Sequence, residues 1–517
     1  MNSIKIWRPA GRRHGKMMGK TAKKIRAALA FFLLLPLFAE TVARAAVLPE
    51  FYDMRLAEPF DRSSYIDGRK TLLNEVGNQG SANICWAFTA AAALESNVYK
   101  NWQRQGIAYS VDARGFRLSP WKMAWFSYAR PVGEADDLTG AMGKPLKKGS
   151  YSVPLASRVY GHGSWPLFAP EFLAGSGIGF RKAAASVTED MKAPVGWGED
   201  AGLRLRNIFT STSTKLYQPA EIARMKSMML AYGALAAGIN SLPLQQKGAV
   251  SYYRNKTLPV NHGVNIIGWD DAYDFSESGL KVKPRHKGAW IIRNSWGKDW
   301  GEGGYAYLSY EDKTLHNYVA YDTSLDRAAY DWIDTHERSN CLVPPRQNWE
   351  NGSGPRYRQM ESGSGFAAGY QAGKAGRITA VGFYAMADGM EYTITIRKGS
   401  LDPAQGTLAL EQSGRFGADN TPEWAGYRTV KVSPDVVLAS GEAYTVAVSL
   451  RNPKGKVRLV LSPQLVESRK ADSVYSYIRR GGHGHWQKTI RPNDGDQPVW
   501  YRNSSVIERV YLKSAEK

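Results

Sequence analysis

The sequence predicts an α+β protein in which a mixed N-terminal region precedes an all-β antiparallel sandwich. An Ala-rich stretch directly after Cys85 has the composition of a helix, and short apolar, strand-like runs follow it. From about residue 356, apolar and polar residues alternate with a period of two between Gly, Pro and Asp turns. The length of 517 residues leaves room for more than one domain.

Residues 1–45 have the composition of a secretory signal peptide. Residues 1–26 contain nine Lys or Arg and no acid, an apolar run covers 27–39, and a small-x-small cleavage site ends at Ala45. A retained membrane anchor is the alternative, although an apolar run of 13 residues interrupted by Pro36 is short for a membrane span. We therefore expect a secreted, periplasmic or cell-surface protein with no integral membrane span after signal removal.

The composition limits the classes of partner and cofactor. The formal net charge is +21, and the part after the predicted signal carries +12. No long Lys/Arg run follows the signal, so nucleic acid is not expected as a partner, whereas acidic surfaces or polysaccharides would be attracted. The two cysteines, Cys85 and Cys341, exclude a disulfide framework and a cysteine-only metal site. We expect no metal and no cofactor.

A change in composition and in the pattern of apolar residues divides the rest of the chain into domains. We predict a mixed domain over 46–325, a connector rich in Asn, Pro, Gly and charge over 326–355, and the sandwich over 356–517. The strand-like runs of the first domain are 264–269, 289–293 and 305–310.

Four residues could together perform nucleophilic catalysis. Cys85 lies between a turn-like Gly-Ser-Ala-Asn stretch and good helix formers, so its thiol is expected near a helix N-terminus, where the dipole favours the thiolate. His262 lies at the entrance of one strand-like run and Asn294 at the end of another, and these two side chains can serve as base and orienting residue. Gln79 and the Cys85 backbone N–H could donate to a developing oxyanion. A lone cysteine is usually a small buried hydrophobe, so the prediction of catalysis depends on the four residues together rather than on Cys85 alone.

Three segments, NQGSANICWAF, VNHGVNIIGWDD and IIRNSWGKDWGEGGYAYLSY, resemble the active-site blocks of papain-like cysteine peptidases in the family's order. The resemblance covers residues 48–322 and implies a two-lobed peptidase with a helical lobe and a β-barrel-like lobe. It implies that Cys85 is the nucleophile, paired as a thiolate with His262, which acts as general base and acid. It also implies that Asn294 orients His262 and that Gln79 completes the oxyanion hole.

The resemblance implies a set of substrate-binding positions as well. Trp296 matches the indole that shields the His–Asn pair from water, Val260 is the first residue of the histidine block, and Gly149 is the counterpart of the family's glycine-containing substrate strand. Asn261 stands where many members have Asp before the histidine, and the family's disulfide cysteines are missing. These departures concern specificity rather than the chemistry.

Residues 356–517 resemble the lectin-like domain that follows the peptidase in some secreted prokaryotic members of the family. The segments SGFAAGYQA, RITAVGFY and YTITIRKG, in that order, carry this likeness. The term describes a sandwich shape and does not establish sugar binding. Trp424, Trp486 and Trp500 could stack on sugar rings, although such aromatics more often belong to a core or its rim.

The sequence therefore predicts an exported cysteine endopeptidase that acts on protein or peptide substrates. The ligand of the sandwich is left open between substrate, glycan and a cell surface. Two alternatives to the peptidase are a non-catalytic, adhesin-like binding protein and an acyl-transfer enzyme, such as a peptide ligase or amidase, on the same scaffold. Exopeptidase action also stays open, because no cleft-blocking loop is identified. The four filled active-site positions argue against the non-catalytic alternative.

Overall fold

The computed structural model describes a defined set of ranges within the 517-residue chain. These are residues 48–56, 71–105, 116–121, 123–124, 129–131, 138–140, 145–146, 203–245, 248–326, 329–334, 356–418, 421–463, 475–489, 504–506 and 508–515. The predicted signal peptide, Gly149, Cys341, Trp500 and most of the predicted connector lie outside these residues. Within the described ranges, none of the helices combines the length and the apolar character that crossing a membrane would require.

The N-terminal region combines helices with strands. Its elements are β1 (Phe51–Asp53), α1 (Cys85–Arg104), β2 (Ala129–Pro131), β3 (Leu138–Gly140), β4 (Pro145–Leu146), β5 (Arg204–Thr210), α2 (Pro219–Tyr232), β6 (Leu235–Ile239), a 3-10 helix (Leu242–Gln245), β7 (Ser251–Tyr252), β8 (His262–Asp270), β9 (Ala289–Arg293), β10 (Tyr305–Ser309) and β11 (Asn317–Ser324). The three strand-like runs predicted from the sequence correspond to β8, β9 and β10.

The C-terminal region is built from strands. They are β12 (Trp332–Asp334), β13 (Arg356–Met360), β14 (Gly365–Gln371), β15 (Gly376–Ala385), β16 (Glu391–Lys398), β17 (Thr407–Arg415), β18 (Gly426–Leu438), β19 (Ala443–Arg451), β20 (Val457–Pro463), β21 (Tyr475–Arg479), β22 (Gln487–Lys488), β23 (Ser504–Val506) and β24 (Glu508–Ser514). The predicted α+β class, with its all-β C-terminal part, is confirmed.

Helix α1 begins at Cys85, which confirms the helix predicted after this residue. Small Ala side chains allow neighbouring elements to approach the helix closely, and most of its residues between Trp86 and Lys100 are buried. A helix that is buried on nearly all sides belongs to the core of a protein rather than to its surface. The thiol of Cys85 is therefore attached to one of the most firmly packed elements of the structure.

One twelve-stranded sheet runs through both regions. Its order is β12-β24-β15-β18-β5-β11-β6-β8-β9-β10-β7, with β1 attached to β8. Strand β5 pairs with β11 on one side and with β18 on the other, where Phe209 lies opposite Gly426 and Ile208 opposite Tyr427. The Thr210 backbone N–H adds a 2.9 Å bond to the Ala425 carbonyl. The two regions thus share backbone hydrogen bonds.

The sandwich forms because a six-stranded sheet, β17-β16-β19-β14-β21-β22, covers the C-terminal part of the large sheet. Ile394 and Ile396 of β16 and Val446 and Val448 of β19 are fully buried in the core between the two sheets. Their polar neighbours in sequence point to the other face, so the alternation predicted from the sequence is confirmed.

The C-terminal strands pair with partners that the alternation of apolar residues in the sequence did not indicate. The last strand-like run of the sequence, over 506–512, is divided between two strands, since β23 pairs with β20 and β24 pairs with β15 and β12. Within the segment predicted as a connector, Trp332 of β12 lies opposite Leu512. Alternation of apolar residues indicates a strand but does not identify its partner, which accounts for the difference.

Aromatic and charged side chains fill the junction between the two regions. Trp424 meets Phe209 and Tyr232 edge-on, with ring centroids 5.6 and 6.1 Å apart. Arg428 lies over the Phe209 ring at 5.1 Å and donates to the Trp424 carbonyl at 3.0 Å. Trp424, a sugar-stacking candidate in the sequence, therefore packs at this junction.

We predict that Gly426→Ala disrupts the junction between β18 and β5. Residue 426 has φ +144°, and an added Cβ would lie 1.8 Å from the Ile208 carbonyl oxygen, so the paired strands must separate. We expect the free energy of unfolding, measured by urea denaturation, to fall by more than about 3 kcal/mol. Gly441→Ala is the matched control, because φ is +75° there but nothing lies within 4 Å of the added atom. Its cost should be about 1 kcal/mol, and equal costs for the two variants would contradict the prediction.

Candidate active site

The residues of the candidate site lie at the start of a helix, the start of one strand and the end of another. Helix α1 begins at Cys85, strand β8 begins at His262, and Asn294 directly follows the last residue of β9. Strands β8 and β9 are antiparallel neighbours, so the start of one lies beside the end of the other. The predicted positions of these residues at element ends are confirmed, and the fold brings the side chains of His262 and Asn294 into direct contact.

The imidazole of His262 is held by the amide of Asn294. His262 Nε2 lies 2.8 Å from Asn294 Oδ1, and both residues are buried. The Ser295 backbone N–H donates to the same Oδ1 at 2.8 Å, which fixes the amide with its oxygen toward the ring. Because Oδ1 accepts, Nε2 carries the proton, and Nδ1 is left as the basic nitrogen.

Two tryptophans cover this hydrogen bond. The Trp296 ring lies 4.7 Å from the His262 ring, tilted by 34°. Trp300 meets Trp296 edge-on at 5.8 Å, and its Nε1 donates to the Leu244 carbonyl at 3.2 Å. The indole of Trp296 therefore excludes water from one side of the imidazole, which strengthens the bond to Asn294.

Close packing between α1 and β8 brings Cys85 against Gly263, the residue after His262. The Gly263 backbone N–H forms a hydrogen bond with Cys85. A Cβ on Gly263 would lie 3.2 Å from Thr89 Oγ1, so the missing side chain permits this approach. Asn265 Nδ2 then donates to the Thr89 carbonyl at 2.8 Å and ties the strand to the helix. The sequence reasoning missed Asn265, whose only signal was a polar residue inside an apolar strand.

Gln79 is clamped between two residues close to the site. Its backbone N–H donates to the Ser295 carbonyl at 2.8 Å, and its Oε1 accepts from Ser295 Oγ at 2.6 Å. Its Nε2 donates to the Ala82 carbonyl at 2.6 Å. A primary amide has two N–H donors, so one remains beyond the bond to Ala82. Ser295, which sequence reasoning also missed, thus decides which way the Gln79 amide points.

Burial opposes charge on both members of the Cys–His pair. It raises the pKa of the Cys85 thiol, although hydrogen bonds from the Gly263, Trp86 and Cys85 backbones act in the opposite direction. It lowers the pKa of His262 to about 4, against a smaller opposing effect of the bond to Asn294. Each group taken alone is neutral at pH 7. The thiolate–imidazolium pair that the sequence resemblance implies therefore requires the two charges to stabilise each other directly.

The predicted substrate-binding residues fall into two groups. Trp296 contacts His262 as described, and Val260 is half-buried in the loop directly before β8. That loop is held by Asn261, whose Oδ1 accepts from the Ser241 N–H at 2.7 Å. Gly149 lies outside the described residues. Across the described ranges, no group of three or more His, Cys, Asp or Glu side chains is placed to hold a metal ion.

Family comparisons place both regions among known proteins. The profile of the papain family cysteine proteases matches residues 204–323, which include His262 and Asn294. The profile of the lectin like domain matches residues 353–493.

Individual relatives point to the same family. The "Probable cysteine protease RD19B" of Arabidopsis thaliana is 41% identical over 262 residues, which cover 50% of this chain and 57% of that protein. A "Cysteine proteinase" of Carica papaya is 40% identical over 74 residues, 14% of this chain and 72% of that sequence. The chain spans about half the length of several curated relatives that it matches, with 51% for "Cysteine proteinase 1" of Zea mays.

A solved structure resembles the fold of both regions together. The cysteine protease and lectin-like domains of Cwp84, a surface layer associated protein of Clostridium difficile, superpose with a TM-score of 0.55. The match covers 86% of this chain and 87% of that chain at 18% identity. At this identity the likeness concerns the fold.

We predict that His262 makes the stability of the Cys85→Ala protein depend on pH. The folded-state pKa of about 4 lies below the ordinary value of 6.5, so the unfolded chain binds a proton first as the pH falls. The contribution is absent above pH 6.5 and should cost about 3 kcal/mol of unfolding free energy by pH 4. Urea denaturation between pH 4 and pH 7 measures it.

The matched control is the double variant Cys85→Ala, His262→Asn. Other titrating groups contribute equally to both proteins, so the difference between their curves isolates His262. A flat difference curve would contradict the prediction, because it would mean that the folded protein keeps the proton on His262. The wild-type chain should lose less, because a thiolate can hold the imidazolium.

Proposed function

Because the chain belongs to the papain family of cysteine proteases, we propose that it is an exported cysteine endopeptidase that hydrolyses peptide bonds in protein substrates. The single observation that carries the proposal is the 2.8 Å contact between His262 Nε2 and Asn294 Oδ1, on a strand whose next residue, Gly263, packs against the cysteine at the start of α1. An imidazole with a fixed tautomer next to a thiol is the arrangement that cysteine nucleophiles need.

In the proposed reaction, His262 moves the protons. Its Nδ1 takes the proton of the Cys85 thiol, and the thiolate attacks the peptide carbonyl carbon to form a tetrahedral oxyanion. The imidazolium then protonates the leaving amine as the C–N bond breaks, which leaves a thioester on Cys85. A water molecule, deprotonated by Nδ1, attacks the thioester, and the C–S bond breaks to release the acid and restore the thiol.

The oxyanion is assigned to two donors, the backbone N–H of Cys85 and the remaining Nε2–H of Gln79. The clamp from Ser295 supports this role, because it holds the amide before substrate arrives, and preorganised donors need no rearrangement during the reaction. Trp296 supports the His262–Asn294 pair by excluding water.

Export is part of the proposal and rests on the basic, apolar and small-residue pattern of residues 1–45. The surface-layer association named for Cwp84 favours a location outside the cytoplasm or at the cell surface for this chain too. The substrate-contacting positions that we propose are Trp296, Val260 and Gly149.

We predict that a thiol-directed peptidyl epoxide labels the purified protein at Cys85. The labelled protein should lose hydrolysis of an unfolded protein substrate, because the epoxide occupies the nucleophile. Cys85→Ala should show neither labelling nor hydrolysis. Mass spectrometry of the intact chain and its peptides provides the measurement.

Cys341→Ala is the control for labelling, since it removes the other cysteine. It should be labelled and should hydrolyse the substrate at the wild-type rate. A wild-type protein that is neither labelled nor active on any unfolded protein would end the peptidase proposal.

We predict that Gln79→Ala lowers kcat on the order of 10²-fold with little change in KM, because the donor acts mainly on the transition state. Ser295→Ala should lower kcat less, since it only frees the amide that Ser295 orients. Steady-state kinetics on a peptide substrate separates the two parameters. A Gln79→Ala protein with wild-type kcat would remove Gln79 from the proposed oxyanion hole.

A further inference from the structure

The outer face of the six-stranded sheet carries side chains that have no role in the proposed peptidase reaction. Along β16, Ile394 and Ile396 point into the sandwich core, while Thr393, Thr395 and Arg397 point outward. On the other central strands the outward positions mix polar residues such as Ser449 with the buried cluster of Ala367, Ala447 and Tyr477, because successive side chains of a strand point to opposite faces. Polar residues on the outer face are ordinary in a sandwich. Whether this face can bind a ligand therefore depends on how its side chains are arranged.

Small side chains form the floor of a groove on this face. Strand register aligns Ser413, Thr393, Ser449, Gly365 and Arg479 in one row across five strands. The hydroxyls of Thr393 and Ser413 are 2.8 Å apart, and Arg479 Nη2 donates to Ser449 Oγ at 2.7 Å. Gly365 keeps the floor low, since a Cβ there would lie 2.7 Å from the Val448 carbonyl oxygen.

Loops and long side chains form the walls of this groove, which encloses about 1000 Å³. Its lining includes Pro403 and Ala404 from one loop and His485 and Trp486 from another. The indole of Trp486 is half-buried and packs against the Ala367, Ala447 and Tyr477 cluster of the same face. Trp486 and the hydroxyl row line the same groove, and together they provide both kinds of contact that a sugar ring makes.

The charge of the groove is positive. Its lining includes two acids, Glu391 and Glu411, and four arginines, which are Arg397, Arg415, Arg451 and Arg479. Arg451 forms an ion pair with Glu391, with 2.7 Å between Nη1 and Oε2. At least two positive charges are therefore not balanced by acids within the groove.

Arg479 is the distinctive member of this set. Its guanidinium carbon lies 4.8 Å from the Trp486 ring centroid, and its Nε is buried without a hydrogen-bond partner among the described residues. No carboxylate of the described chain lies within ion-pair distance of it, and burial lowers its pKa. A partly buried guanidinium without a carboxylate partner is stabilised when an anion binds.

We propose that this groove binds an acidic polysaccharide whose sugar carboxylates pair with Arg479 and Arg415. The hydroxyl row accepts and donates hydrogen bonds to the sugar hydroxyls, and Trp486 contacts a ring face. The planar guanidinium suits a carboxylate because it can form two parallel hydrogen bonds with it. This binding site is separate from the Cys–His–Asn site and goes beyond the proposed peptidase function.

Isothermal titration of the full chain carrying Cys85→Ala tests the proposal, since this protein cannot cleave itself and its binding does not depend on peptidase activity. The probes are polygalacturonate as the carboxylated polysaccharide, dextran as the neutral one, and polyphosphate as an anion without sugar. We expect binding of polygalacturonate, no measurable binding of dextran, and weaker binding of polyphosphate. Arg479→Gln and Trp486→Ala should each weaken polygalacturonate binding about tenfold.

Arg458→Gln is the matched control, because Arg458 is exposed on β20 and does not line the groove. It should leave the affinity within about twofold, as a rim charge far from the ligand does. Arg415→Gln gives a second groove variant at an exposed position, which keeps the test decisive if Arg479→Gln fails to fold. The proposal is overturned if polygalacturonate does not bind, if polyphosphate binds equally well, or if Arg458→Gln weakens binding as much as the groove variants.

Discussion

The geometry of the candidate active site depends on the close packing of helix α1 against strand β8 at Gly263. Without a side chain at this position, the strand lies in contact with Thr89 in the second turn of the helix, and Asn265 adds a 2.8 Å hydrogen bond to the Thr89 carbonyl. Cys85 starts the same helix and His262 directly precedes Gly263. This one contact therefore holds the first residue of the helix close to the first residue of the strand.

The same close packing also determines which protonation states of Cys85 and His262 are favoured. Burial favours a neutral thiol and a neutral imidazole, whereas backbone N–H groups, including those at the start of α1, favour the thiolate. Trp296 excludes water and so increases both the cost of each isolated charge and the attraction between two opposite ones. The position of the proton is consequently a property of the pair. Without Cys85 no thiolate can stabilise the imidazolium, which is why the pH test above uses that background.

The positions of Cys85, His262 and Asn294 could be predicted because each lies where a local pattern changes, at the start of a helix or at the end of a strand. Their supporting contacts could not, because these join distant parts of the chain. The bond from Ser295 to Gln79 spans 216 residues, and alternation within β5 contains no information about β18 as its neighbour. Alternation did predict which residues of the sandwich face outward, but register was needed to align Thr393, Ser449 and Arg479 in one row.

The pairing of β5 with β18 changes what binding in the groove would do. A sandwich on a flexible linker would raise only the local concentration of a substrate near the catalytic residues. Here Tyr384, Met386 and Tyr427 of the C-terminal region belong to the same buried cluster as residues of α1 and β8. Backbone hydrogen bonds and a common core therefore fix one region against the other. An acidic polymer held in the groove would set the orientation of the candidate active site relative to that polymer, so proteins embedded in it would be presented from a defined direction.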